Sequence, residues 1–106
     1  MIISKNGLIH HVFFYLHQPG DPEALRQLTQ GLERLSSAPT IREFHIGKPA
    51  STRREVIDST YDLSWLLLFD TREDQDAYQT DPVHLQFVEE CAHLWRKVAV
   101  FDTIGI

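Results

Sequence analysis

The chain has 106 residues, of which 42% are hydrophobic and 24% charged, the composition of an ordinary globular domain. Its formal net charge is −5, and its one basic pair, Arg53-Arg54, is followed by acidic residues, so no nucleic-acid-binding surface is expected. No apolar run reaches the roughly 18 residues that span a bilayer, and no secretory signal is evident, so we expect no membrane binding. The lone Cys91 has no disulfide partner, which favours a cytoplasmic location. We expect a single domain over residues 1–106.

The first predicted strand covers Leu8–Leu16, a run rich in β-branched and aromatic residues that ends at a Pro-Gly turn. Strict alternation puts one set of side chains on one face (Leu8, His10, Val12, Phe14 and Leu16) and the other set on the opposite face (Ile9, His11, Phe13 and Tyr15). Because both faces are mostly apolar, the strand is expected to be central and covered on both sides.

A helix is predicted to begin at Pro22, because Asp21 is a good capping residue before it. Its buried face is marked by leucines at helical spacing, Leu25, Leu28, Leu32 and Leu35. A second strand is predicted at Ile41–Lys48, where polar and apolar residues alternate in a way that indicates a sheet edge. Residues 49–60 are polar and charged, which predicts an exposed connection.

The third predicted strand, Tyr61–Asp70, is the most apolar run of the chain. A short helix follows, starting at the capping sequence Thr71–Asp74 and continuing through Tyr78. The pattern then predicts a third helix from Pro82 to about Trp95 and a last strand at Lys97–Thr103. The apolar stripe of the third helix comprises His84, Phe87, Val88, Cys91, Leu94 and Trp95, so the thiol is expected in the core.

The element order is therefore β-α-β-β-α-α-β, which is the split-βαβ, ferredoxin-like α+β arrangement with its second helix in two pieces. It predicts a four-stranded antiparallel sheet with helices packed on one face. The other face carries large apolar residues and needs a partner. We therefore expect a homodimer, in which a second copy of the chain covers this face.

His84 is the strongest candidate for a functional side chain. Asp81 and Pro82 predict that a helix begins just before it, and the positive end of the helix dipole disfavours the imidazolium form, as a general base requires. Tyr78 lies close by, and His10 lies on the same strand face as apolar core residues. Each candidate also has a purely structural interpretation. His84 would be a helix-start histidine kept for packing, Tyr78 an aromatic anchor at the break between the helices, and His10 a hydrogen-bonded core histidine.

Neither a metal nor a cofactor is expected. His10 and His11 are adjacent in a strand, so they point to opposite faces and cannot easily share an ion. No glycine-rich phosphate loop is present in the sequence.

Four stretches together resemble the Dabb family, the stress-responsive dimeric α+β barrel domain. They are Leu8–Phe14, Tyr61–Leu63 with Phe69–Thr71, the run Tyr-Gln-Thr-Asp-Pro-Val-His at 78–84, and Val98–Asp102. The resemblance covers roughly Leu8 to Thr103. It implies the ferredoxin-like fold and a homodimer in which two sheets join into one barrel.

One characterised enzyme resembles this pattern: plant olivetolic acid cyclase, a cofactor-free aldol cyclase. The resemblance implies that its catalytic His falls on His84, its assisting Tyr on Tyr78 and its first-strand His on His10. The chain departs from the family at Asp81, where a His is common, and at Tyr15–His17, where the family is often Lys-rich. The second departure puts contacts with anionic substrates in doubt.

Two functions compete at this point. In the first, a pocket between the sheet and the helices binds a small apolar carbonyl or aromatic compound. His84 removes a proton α to the carbonyl, and Tyr78 donates a hydrogen bond to the enolate oxygen. The outcome is aldol cyclisation, isomerisation or a related lyase step. In the second, the protein is a dimeric binding or stress-protective module of unspecified role whose interior is filled. A cofactor-free monooxygenase is a third option, based on fold analogy alone.

Overall fold

The computed structural model describes residues 3–106, so Met1 and Ile2 of the predicted domain lie outside the described residues. The strands are β1 (Leu8–Leu16), β2 (Glu43–Gly47), β3 (Leu63–Phe69) and β4 (Trp95–Ile104). The helices are α1 (Pro22–Leu35), α2 (Arg72–Thr80) and α3 (Pro82–Cys91), and a short 3₁₀ turn, Ala92–Leu94, joins α3 to β4. The predicted ferredoxin-like order is confirmed.

The strands form one antiparallel sheet in the order β2-β3-β1-β4, so β1 is central and β2 lies at an edge, as predicted. Burial along β1 alternates strictly from residue to residue. The buried side chains are Leu8, His10, Val12, Phe14 and Leu16, the first of the two sets that the sequence predicts. That face packs against leucines of α1 and against Phe87 and Cys91 of α3, which together form the core. The helices therefore cover one face of the sheet.

The opposite face of the sheet is only half covered within the protomer. Phe13 and His11 on β1 are half-buried, and Phe101 on β4 is 60% exposed. We call the residues of this surface, Ile9, His11, Phe13, Leu66, Leu68 and Phe101, the open face. It is the surface for which the sequence predicts a partner.

The boundary between α3 and β4 differs from the prediction. The helix ends at Cys91 and not near Trp95, because Trp95 adopts extended backbone (φ −110°, ψ 148°) and pairs with Leu16 of β1. An apolar residue at helical spacing fits equally well at the start of a strand, so periodicity alone misplaces this boundary. Its helical spacing also predicts a core position for Val88, whereas the structure leaves this residue 39% exposed beside a cavity opening.

Helices α1 and α3 pack closely at Gly31. A Cβ atom built on Gly31 would lie 2.5 Å from the Sγ atom of Cys91, closer than real contacts allow. Glycine is therefore required here by the approach of the two helices, and Cys91 is a core residue as predicted. This contact fixes the position of α3, whose first turn carries His84.

No helix formed within residues 3–106 combines the length and the apolar character needed to cross a bilayer.

Candidate functional site

A cavity of about 250 Å³ lies between the sheet and the helices α2 and α3. The three candidate residues, His10, Tyr78 and His84, all line it. Its other walls are mainly aromatic or aliphatic and include Phe14, Trp65, Phe87, Trp95, Val98 and Val100. A concave, mostly apolar space with a few convergent polar groups is the usual form of a small-molecule site.

His84 lies in the first turn of α3, where the sequence predicts it. The Asp81 carboxylate accepts a hydrogen bond from the backbone N–H of Val83 (2.9 Å), and Pro82 takes the first helical position. The imidazole Nδ1 donates to the carbonyl oxygen of Gln79 at 3.2 Å. Because a carbonyl only accepts, Nδ1 carries the hydrogen, and Nε2 is the basic nitrogen of the neutral ring.

The surroundings of His84 favour this neutral form. Burial lowers the pKa of His84 below its usual value of 6.5, and the neighbouring His10 lowers it further. The Gln79 carbonyl and the Asp81 carboxylate act in the opposite direction. The direction agrees with the sequence-based expectation, but the largest cause is burial and not the helix dipole that the sequence suggested.

Tyr78 is almost completely buried, with 2% of its surface exposed. Its hydroxyl oxygen accepts a hydrogen bond from the indole Nε1–H of Trp65 at 3.3 Å. An indole can only donate, so the Tyr78 hydroxyl hydrogen stays free to point elsewhere. Burial raises the pKa of Tyr78 to about 12, although the Trp65 hydrogen bond offsets part of this effect, and the group is therefore a protonated donor near neutral pH.

His10 is buried, and its Nδ1 contacts the Oδ1 atom of Asp102 at 2.5 Å. The two residues are direct cross-strand partners in the β1–β4 register. A carboxylate accepts, so Nδ1 donates and Nε2 is left as the second basic nitrogen of the site when the ring is neutral. Sequence reasoning missed Asp102, because only the register of β4 against β1 reveals that it meets His10.

The rings of the candidate residues lie close together. The centroid of Tyr78 is 4.6 Å from that of His84 and 6.0 Å from that of His10. His11 lies on the other side of the sheet, in the open face, with its ring tilted against that of Phe13 at a centroid distance of 4.2 Å. In the described part of the chain, no three His, Cys, Asp or Glu side chains form a group that could hold a metal ion.

Comparisons with known proteins give one family and many similar structures. The model of the family described as the Stress responsive A/B Barrel Domain, Dabb, matches residues 8–104. No curated protein sequence matches the chain. Among solved structures, a Dabb family protein with a ferredoxin-like fold from Mesorhizobium loti is 19% identical, with a TM-score of 0.77 over 94% of this chain and 97% of that one.

Two further structures show the range of proteins with this fold. Hydroxynitrile lyase from Passiflora edulis is 18% identical, with a TM-score of 0.80 over 97% of this chain and 96% of the lyase. A protein of unknown function from Thermobifida fusca, described as dimeric and ferredoxin-like, is also 18% identical, with a TM-score of 0.75 over 92% and 90% of the two chains. At these identities the similarity establishes the fold alone.

Proposed function

This chain belongs to the Dabb family of stress-responsive A/B barrel domains, and we propose that it forms a homodimer in which each protomer binds a small apolar carbonyl or aromatic compound. We propose further that His84 acts there as a general base, without a cofactor. The observation that carries this proposal is the single cavity of about 250 Å³ that His10, Tyr78 and His84 line together. A residue set kept only for packing would not need that space.

The hydrogen-bond directions at the site suit proton abstraction next to a carbonyl. The neutral Nε2 of His84 takes a proton from the carbon α to the carbonyl, so the C–H bond breaks and its electron pair moves onto the carbonyl oxygen as an enolate. The free hydroxyl hydrogen of Tyr78 then donates to that oxygen. A positioned base of this kind typically contributes about 10²- to 10⁴-fold to a rate.

His10 and Asp102 complete the polar end of the cavity. The Asp102 carboxylate holds the Nδ1 hydrogen of His10 and so fixes the ring orientation. The Nε2 atom of His10 then serves as a second acceptor, suited to a hydroxyl group of the ligand. The enolate then adds to a second carbonyl, which is aldol cyclisation, or is reprotonated at another carbon, which is isomerisation. A lyase step starts differently: His84 takes the proton of a hydroxyl group, the O–H electrons form a C=O bond, and the neighbouring C–C bond breaks with its electron pair on the leaving carbon. The occurrence of this fold in a hydroxynitrile lyase supports this last reaction.

The resemblance to a polyketide cyclase remains a prediction, and oxygenase chemistry rests on fold analogy alone. The cytoplasmic location is likewise a proposal, based on the single, buried thiol of Cys91.

A second function, a dimeric module without catalysis, is favoured by a specific observation. Each candidate side chain already has a partner within the protein: Gln79 for His84, Trp65 for Tyr78 and Asp102 for His10. Residues kept for packing are expected to be satisfied in this way. The two functions differ in whether the cavity takes up a ligand and whether His84 moves a proton.

The test uses acetophenone, a neutral aryl ketone, in D₂O with NMR detection of deuterium exchange at its methyl group. We expect the wild-type protein to accelerate exchange over buffer and His84→Gln to lose at least about 10²-fold of that acceleration. The matched control is His93→Gln, which alters an exposed histidine outside the cavity and should exchange as wild type does. Equal rates for His84→Gln and wild type would contradict the general-base role.

A further inference from the structure

The walls of the cavity carry no counter-charge for an anion. Within the described residues, no lysine or arginine lines the cavity, and the one carboxylate that does is Asp102. An anionic ligand would therefore meet no cationic side chain among the described residues that line the cavity.

The histidines do not change this balance. Burial lowers the pKa of His84, which keeps its ring neutral near pH 7. His10 contacts Asp102 directly, so the pair carries a charge of −1 when the ring is neutral and of zero when it is protonated. In neither state does the His10–Asp102 pair contribute a net positive charge to the cavity, and Arg72, which lines the adjoining cleft with Asp102, is not part of the cavity lining.

Asp102 also lies where a ligand would enter. The exposed members of the lining are on α3 and the edge strand β4: Val88 is 39% exposed, Val98 40% and Val100 48%. These three valines mark an apolar opening between the two elements. The side chain of Asp102 is 45% exposed at the same strand edge, while the side chain of its partner His10 is 7% exposed. The carboxylate thus connects the opening with the interior.

The size of the cavity limits the ligand as well. An apolar protein cavity of about 150 Å³ holds a benzene molecule. The cavity of about 250 Å³ therefore has room for one aromatic ring, or an aliphatic chain of similar volume, with a short substituent.

We propose that the site selects uncharged monocyclic or similarly small carbonyl compounds and excludes carboxylates and phosphates of the same shape, with Asp102 as the residue that determines this selectivity. The inference rests on the proposed function, since it concerns the same cavity. It goes further in naming the charge class of the ligand and the residue that sets it. Gln75, which also lines the cavity, has an uncharged amide that can donate and accept hydrogen bonds, so it does not compensate for a missing cation.

The experiment compares benzamide with benzoate, which have the same shape and differ in charge, by ligand-observed NMR and calorimetry at pH 7.5. We expect benzamide to bind at least about tenfold more tightly than benzoate, because a like charge within a few ångströms is unfavourable even in a partly hydrated site. In Asp102→Asn the ratio should fall towards one, since the carboxamide oxygen can still accept from His10 while the charge is gone. Glu89→Gln makes the same charge change at an exposed position outside the cavity and should leave the ratio as in wild type.

A second variant tests the same charge selectivity if the Asp102→Asn protein does not fold. Val98→Lys places a cation at the exposed opening and should raise the ratio of benzoate to benzamide affinity about tenfold over wild type. Equal binding of both probes to the wild type would overturn the charge selectivity and leave the proposed binding function standing. Binding of neither probe would overturn the proposed function and the selectivity together, and a preference for benzoate would overturn the selectivity outright.

Discussion

At the scale of single residues, the direction of each hydrogen bond assigns the role of each polar group. The carbonyl of Gln79 can only accept a hydrogen bond, so His84 keeps a basic Nε2. The indole N–H of Trp65 can only donate, so Tyr78 keeps a free hydroxyl hydrogen. His84, Tyr78 and His10 could be named from the sequence, because helix capping and strand alternation are local patterns. Asp102 could not, because it is 92 residues from His10 and meets it only through strand register.

The low pKa of His84 makes stability depend on pH. In the unfolded chain this group titrates near 6.5, while in the folded protein burial keeps it neutral to lower pH. As the pH falls below 6.5 the unfolded state binds the proton more readily, so stability decreases until the folded pKa is reached. We expect wild type to lose more stability than His84→Gln between pH 7.5 and 5.5, measured by urea unfolding. An identical loss in both proteins would show that His84 is not neutralised by folding.

The hydroxyl of Tyr78 also supports the core. Tyr78→Phe leaves the buried indole N–H of Trp65 without an acceptor, which should lower the free energy of unfolding by about 1–3 kcal/mol. In a Trp65→Phe background, where no donor is left unpaired, the same change should cost clearly less. Additive costs in this double-mutant cycle would mean that the two groups are not coupled in solution.

At the scale of elements, capping signals predict where each helix starts, and periodicity misplaces the end of α3. Side chains of Asp21, Thr71 and Asp81 cap α1, α2 and α3 at the positions that the sequence indicates. The end of α3 was misplaced because Leu94 and Trp95 continue its apolar period although Trp95 begins β4. Pairing with β1 decides that boundary, and pairing is a long-range property that local patterns do not contain.

The contact between α1 and α3 gives a prediction at this scale. Gly31→Ala would bring a Cβ atom against the Sγ atom of Cys91, so we expect a loss of roughly 1–3 kcal/mol in the free energy of unfolding. Removing the sulfur in Gly31→Ala/Cys91→Ala should recover part of that loss, although the wall of Phe87 stays close. The double variant should therefore be more stable than the sum of the single changes, as measured by chemical unfolding.

At the scale of the whole molecule, the sequence predicts a sheet with helices on one face and a partner on the other. Its strands carry apolar side chains on both faces, and so short a chain has helices to cover only one of them. The open face is that surface, and Phe101 on it is 60% exposed. Whether the space beneath the helices is open could not be predicted, because it depends on how Phe14, Trp65, Phe87 and Trp95 pack around it. Such packing is a property of three-dimensional fit and not of pattern.

The proposed homodimer uses the open face. Phe101→Lys places a charge on the β4 side of this face, so we expect the wild-type protein to sediment as a dimer at micromolar concentration and this variant to sediment as a monomer. Leu85→Lys is the matched control, because Leu85 is 56% exposed on α3, in the helical layer away from the open face. A wild-type monomer, or a dimer lost equally in both variants, would contradict this assembly.

The most direct test of the central claim is a crystal structure of the protein soaked with acetophenone. The account predicts that the ketone occupies the cavity of about 250 Å³, with its oxygen at the Tyr78 hydroxyl and its methyl carbon facing Nε2 of His84. An interior closed by side chains, or a ketone bound elsewhere with no contact to His84, would contradict the claim and leave the dimeric module as the function of this fold.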